Sequence, residues 1–78
     1  MQYPISVPRT ADGALKVTVL RWIKSVGDEV RKGEDLVEAK TEKINLYVTA
    51  PESGKLSEIL APAGTQISVG EALGYVEG

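Results

Sequence analysis

Apolar and polar residues alternate with a period of two in two stretches of the chain. Leu15, Val17 and Val19 are separated by Lys16 and Thr18, and Ile44, Leu46 and Val48 by Asn45 and Tyr47, with Thr49 following. That period places every second side chain on one face of an extended strand, so each stretch predicts a strand with its apolar face inward and a more polar face outward. Elsewhere Gly27, Gly33, Gly54, Gly64, Gly70 and Gly74 break the chain into pieces too short for long helices. The long glycine-free stretch from Glu34 to Ser53 ends in the second alternating run and also reads as strand. The prediction is an all-β chain of short strands joined by Gly- and Pro-containing turns.

The strands repeat. Trp22, Gly27, Val30, Gly33, Glu34 and Leu36 superpose on Ile59, Gly64, Ile67, Gly70, Glu71 and Leu73 at a uniform offset of about 37 residues, a self-similarity of the kind that marks repeated architecture. Val19 and Leu56 extend the match upstream. Two copies are too few for a solenoid, which needs about three or more. They suit a closed, pseudo-twofold structure in which each half buries the apolar face of the other and no strand edge is left bare. The expected organisation is one domain over residues 1–78, with halves at about 3–41 and 44–77. The segment joining them, Ala39 to Leu46, contains no glycine, and a type I turn needs none. This turn is expected at the end of the barrel opposite the chain termini.

Composition narrows the chemistry. Seventy-eight residues suffice for one small core, with a folded surface of about 4,600 Å² from the general size scaling. There is no Cys and no His, which removes disulfides, His/Cys zinc sites and histidine-based nucleophile relays. A net charge of −2 supplies no cationic footprint for nucleic acid, and no apolar run is long enough to span a bilayer. No signal-like segment follows Met1, so the expected location is the cytoplasm. The acidic cluster Asp28, Glu29, Glu34 and Asp35 lacks the spacing of a known cation loop and reads as solvated turn. Gly27-Asp28 and Gly33-Glu34 precede no helix, so they read as turns rather than phosphate cradles. Trp22 aligns with Ile59 and is expected in the core.

Six lysines remain as candidate chemistry: Lys16, Lys24, Lys32, Lys40, Lys43 and Lys55. Lys43 stands in the middle of the joining turn, where a primary amine on a flexible four-carbon stem suits an amide-linked prosthetic group. Lys40 is its rival but lies nearer the strand entering the turn.

At these residues the chain resembles a known family. Trp22 … Gly27-Asp28-Glu29-Val30 … Gly33-Glu34-Asp35-Leu36 is similar to the first half of a lipoyl (biotinyl/lipoyl-attachment) domain. Thr41-Glu42-Lys43-Ile44 resembles its attachment turn, and Ala50-Pro51 … Gly54-Lys55-Leu56 … Ile59-Leu60 … Gly64 … Ile67 … Gly70 … Leu73 its second half. The resemblance implies a flattened barrel-sandwich hybrid of two four-stranded antiparallel sheets. It assigns the modified lysine to Lys43, with Leu36 before it and Pro51 after it at the family's spacing, which Lys40 does not satisfy.

The implied function is that of a non-catalytic carrier. Lipoate amide-linked to Lys43 would act as a swinging arm, moving acyl groups and electrons among the components of a 2-oxo acid dehydrogenase-type complex. The implied partners are a lipoate ligase or lipoyl transferase, a thiamine-dependent decarboxylase, an acyltransferase core and dihydrolipoyl dehydrogenase; the domain is expected to be a monomer in isolation. Two alternatives stand beside this. One is a biotin carboxyl carrier, whose tip is usually Met-Lys-Met where Glu42 and Ile44 flank Lys43 here. The other is an unmodified barrel-sandwich interaction module. The chain departs from the lipoyl pattern in carrying Glu42 for Asp, Lys40 and Tyr47 for acidic residues, and Pro8-Arg9-Thr10-Ala11-Asp12-Gly13 where the family has Pro-x-Leu-Gly-Glu-Gly. In the family that loop lies near the attachment turn and helps partner enzymes choose their substrate domain.

Overall fold

The computed structural model describes all 78 residues and contains strands only. They are β1 (Gln2–Ser6), β2 (Lys16–Trp22), β3 (Glu29–Val30), β4 (Asp35–Lys40), β5 (Asn45–Thr49), β6 (Gly54–Ile59), β7 (Gln66–Ser68) and β8 (Ala72–Glu77). They form two four-stranded sheets in the orders β1-β8-β6-β3 and β5-β4-β2-β7, and every pairing is antiparallel. The sheets face each other in a flattened barrel-sandwich with principal extents of 32 × 20 × 17 Å. Its accessible surface, 4682 Å², is that of an ordinarily compact chain of this mass.

Exchanging β1 with β5, β2 with β6, β3 with β7 and β4 with β8 turns one sheet order into the other. The backbone hydrogen bonds obey the same exchange. Gly27 donates to the Leu56 carbonyl at 2.8 Å and Gly64 donates to Val19 at 2.8 Å. Ile23 donates to Leu36 and Leu60 to Leu73, both at 2.8 Å; Gly33 donates to Ala50 at 2.9 Å and Gly70 to Val7 at 3.0 Å. The turn glycines share one conformation as well: φ is 96° at Gly27 and 91° at Gly64, then 86° at Gly33 and 93° at Gly70. A side chain pays a steric penalty in that left-handed region, so each half keeps glycine at both turns.

The core is a single cluster drawn from both sheets, including Ile5, Val17, Val19, Leu36, Val37, Val48, Leu56, Leu73 and Val76. Each fully buried Leu or Ile contributes about 1.5–3 kcal/mol by leaving water. The inward alternation holds at Val17, Val19 and Val48 but stops at the ends of the ladders. Leu15 precedes the first residue of β2 and is 82% exposed, and Ile44 belongs to the β4–β5 turn and is 36% exposed. Both positions lie just outside the strands and face solvent, so the expected burial does not occur. Trp22 also differs from expectation: it is half-buried, packs against the edge of the core and donates its indole N–H to the Ala61 carbonyl at 2.7 Å. The amphipathic indole takes a rim position where its aliphatic counterpart Ile59 needs no partner.

Two glycines are required by close approach instead of φ. A Cβ at Gly74 would collide with the Glu58 carbonyl, and one at Gly54 with the Glu77 carbonyl, both across the β6–β8 ladder. Gly74→Ala is therefore expected to destabilise the domain by about 1–3 kcal/mol in urea unfolding, because backbone must move to admit a methyl group. Equal stability of the variant and the parent would contradict the tight β6–β8 approach.

Candidate functional site

The β4–β5 connection is a four-residue turn, Thr41 to Ile44, closed by a 2.8 Å bond from the Thr41 N–H to the Ile44 carbonyl. None of its residues has a positive φ, so its conformation suits a glycine-free sequence. Glu42, Lys43 and Ile44 are exposed. The side chain of Thr41, in contrast, is the buried polar group of the structure, at 9% exposure. Its hydroxyl accepts the backbone N–H groups of Lys43 and Ile44, both at 3.1 Å, which ties the turn from within.

Lys43 stands at the tip with no ion-pair partner; the salt bridges are Arg21–Glu38, Lys24–Glu34 and Lys32–Glu52. Its amine is therefore available to another protein. Lys40 is exposed too, but its backbone sits within the sheet, opposite Asn45 on β5 and Thr18 on β2. That position roots it in the wall of the barrel rather than at the end. The two lysines line one cleft of about 760 Å³, with Asp12, Leu15, Thr41 and Ile44 among its other walls.

The other end of the molecule is different. β2 begins beside the turn and leads the chain away to Asp28, whose carbonyl accepts from Leu56, next to the Lys55–Glu77 pair at the chain ends. There the Met1 and Gly78 backbones exchange two bonds, of 2.9 and 3.1 Å. The first of these is the repeat counterpart of the Thr41–Ile44 bond, so chain ends occupy in one half the place that the lysine turn occupies in the other.

The loop between β1 and β2 reaches the turn through Asp12. The Thr41 hydroxyl donates to Asp12 Oδ2 at 2.7 Å, the Thr10 hydroxyl donates to Asp12 Oδ1, and the Ala14 N–H bonds both Thr10 Oγ1 at 3.1 Å and Asp12 Oδ1 at 3.3 Å. The hydroxyls of Thr10 and then Thr41, donating to the charged form, hold the Asp12 carboxyl below its ordinary pKa. Sequence reasoning singled out this loop for its departures and missed Asp12 as the residue that touches the turn. Thr10-Ala11-Asp12 carries the local signal of a side-chain-supported turn, but nothing local names Thr41, 29 residues away. Elsewhere Glu34 is held below the usual carboxylate range, first by the Arg31 N–H and then by Lys24, an arrangement of the β3–β4 turn far from Lys43.

Comparison with known proteins adds to this geometry. The biotin/lipoyl family, described as biotin-requiring enzyme, matches residues 4–76. The chain is 42% identical over 72 residues to the dihydrolipoyllysine-residue succinyltransferase component of the 2-oxoglutarate dehydrogenase complex from Staphylococcus saprophyticus, and equally to that from Bacillus subtilis. Each match covers 92% of this chain and 17% of the relative, so the chain spans about a sixth of the length of these proteins. Among solved structures it resembles the lipoyl domain of the 2-oxoglutarate dehydrogenase complex from Azotobacter vinelandii, with a TM-score of 0.75, 29% identity, and coverage of 96% of this chain and 95% of that one. The fold alone is shared with urea carboxylase from Kluyveromyces lactis, at a TM-score of 0.84 and 19% identity over 99% of this chain and 6% of the other.

A depressed carboxyl stabilises the fold above its ordinary pKa and loses that contribution as the pH falls through its folded value. The parent is therefore expected to be more stable than Asp12→Asn at pH 7, with the gap narrowing below about pH 4 and closing as the folded carboxyl protonates. Urea unfolding at pH 7, 5 and 3 measures this; a gap of unchanged size at pH 3 would assign it to something other than the carboxylate.

Proposed function

The chain belongs to the biotin/lipoyl attachment family, and on that premise we propose that it is a lipoyl carrier domain whose attachment site is Lys43. The observation that carries this reading is an unpaired, exposed lysine at the tip of a rigidly tied turn, at the end of the barrel away from the chain termini. The turn fits an amide-linked group: nothing packs on the amine, and the root of the side chain is fixed while its stem is free to sweep. When bound, lipoate supplies an acyl-accepting dithiol and a two-electron disulfide couple.

The contribution of the chain itself is delivery. Amide formation removes the Lys43 charge, so the arm carries no cation into an apolar channel. Holding the amine on a folded domain tethered near partner enzymes raises its effective concentration to about the millimolar range without tight binding. Leu15 and Ile44, exposed beside Lys43, give those partners apolar surface to recognise together with the lysine. The partners belonging to this reading are a lipoate ligase or lipoyl transferase, a thiamine-dependent decarboxylase, an acyltransferase core and dihydrolipoyl dehydrogenase. The similarity to 2-oxoglutarate dehydrogenase components supports a complex acting on a 2-oxo acid, with 2-oxoglutarate the first to test. Lipoate is favoured over biotin by the likeness to a lipoyl domain along both chains' lengths and by Glu42 and Ile44 where biotin domains usually carry methionines.

Co-expression with a lipoate ligase followed by intact-mass measurement tests the assignment. The parent and Lys40→Arg are expected to gain one lipoyl group and Lys43→Arg none, all three remaining folded because exposed turn substitutions perturb little. An adduct on Lys43→Arg would move the site to Lys40. With a biotin ligase the parent is expected to remain unmodified, and Glu42→Met with Ile44→Met to gain biotin; no modification of the parent by either ligase would favour an interaction module.

A further inference from the structure

Resting on the carrier reading, we infer that Asp12 is a positioning residue for acylation of Lys43: its carboxylate orients the Thr41 hydroxyl, and that hydroxyl fixes the backbone from which the lysine projects. A hydroxyl has one proton and two lone pairs. At Thr41 all three are committed, the proton to Asp12 Oδ2 and the lone pairs to the N–H groups of Lys43 and Ile44. The direction of the O–H bond therefore decides whether both lone pairs face the turn. An ionised carboxylate only accepts, so it admits a single orientation of that bond.

Asp12 is itself held from behind, by the Thr10 hydroxyl and the Ala14 N–H on its other oxygen. The chain of contacts thus runs from the β1–β2 loop, through one carboxylate and one hydroxyl, to the two amides at the tip. These bonds cross 29 residues of sequence and join two connections that no strand ladder joins. They are also sheltered, since Thr41 is buried and Asp12 half-buried. Charge-assisted bonds of this kind are stronger than neutral ones, and more so where water is kept away.

In acylation, the deprotonated Lys43 amine attacks the carbonyl of an activated lipoyl or octanoyl group, the acyl adenylate made by a ligase from the acid and ATP. A C–N bond forms, the C–O bond to the phosphate breaks, AMP leaves, and the amine gives up a proton to a base or water. The attack demands that the amine approach along one direction, and small misplacements of reacting atoms are costly. A turn that samples several conformations would still be bound through the rest of the domain surface but would present the amine less often.

Asp12→Asn tests this with little change of shape. With its carbonyl oxygen turned to the Thr10 hydroxyl and Ala14 N–H, its NH₂ faces a Thr41 hydroxyl whose lone pairs are already taken; with the amide turned the other way, its oxygen accepts the Thr41 proton, but a neutral bond replaces the charge-assisted one. In the first arrangement Thr41 has to release the Lys43 or Ile44 amide, and in the second its hydroxyl is held by a weaker bond. In the unmodified domain, amide hydrogen exchange at Lys43 and Ile44 is expected to speed up several-fold in Asp12→Asn even at pH and temperature where the fold remains fully populated, whereas core-strand exchange changes only by the loss of global stability. In a ligase assay, kcat is expected to fall about tenfold, the usual consequence of losing one charge-assisted hydrogen bond, with KM changed less than about twofold. Thr41→Ser should retain near-parental kcat, because it keeps the hydroxyl. Thr41→Val should lose activity as Asp12→Asn does, and adding Asp12→Asn to Thr41→Val should change little further, since both act through one bond.

Parental kcat in Asp12→Asn, or additive losses in the double variant, would overturn the positioning role and leave Lys43 as the attachment site. A parent that the ligase does not acylate would overturn the carrier reading instead, while unchanged exchange at Lys43 and Ile44 in Asp12→Asn would still refute the coupling between Asp12 and the turn.

Discussion

Neither half of this chain can complete a sheet by itself. β3 finds its ladder partner in β6, β7 finds its own in β2, and β1 pairs with β8, so strands of each half finish the hydrogen bonding of the other. The paired bonds Gly27–Leu56 and Gly64–Val19 are the closest expression of that reciprocity. Backbone groups buried without partners are costly, so the exchange fixes the mutual placement of the halves as firmly as side-chain packing does. With no disulfide or metal-binding histidine available, this interlocking and one small apolar cluster carry the stability of the domain.

The same reciprocity places the site. A pseudo-twofold operation generates two equivalent positions, one filled by the Thr41–Ile44 turn and the other by the paired chain ends. Only one end therefore presents a continuous loop with a lysine at its tip, and it lies away from the paired Met1 and Gly78 backbones. The functional polarity of the molecule arises where the symmetry of the fold is broken. The network from Thr10 through Asp12 to Thr41 has no counterpart in the hydrogen bonding of the other half, whose chain ends hold each other through backbone alone.

The fold is legible in the sequence where the physics is local or repeats. The turns at Gly27, Gly33, Gly64 and Gly70, the strands around them and the glycine-free turn all follow from residue type and spacing. Burial that depends on contacts distant in sequence is not legible there. Leu15 and Ile44 continue the alternation of their strands, yet they lie just outside them and meet water. Trp22 has the spacing of a core residue but sits at the rim, where its N–H reaches Ala61.

The amino-acid order alone determined an all-strand, two-part chain, because alternation, turn glycines and an internal repeat are properties of neighbours along the backbone, and it offered Lys43 as the candidate through its place in the joining turn. Tertiary structure alone decided that Asp12 meets Thr41 and that Leu15 lines the cleft beside the lysine turn. Those facts join residues distant in sequence. They exist only once backbone pairing between the halves has set which loops share an end.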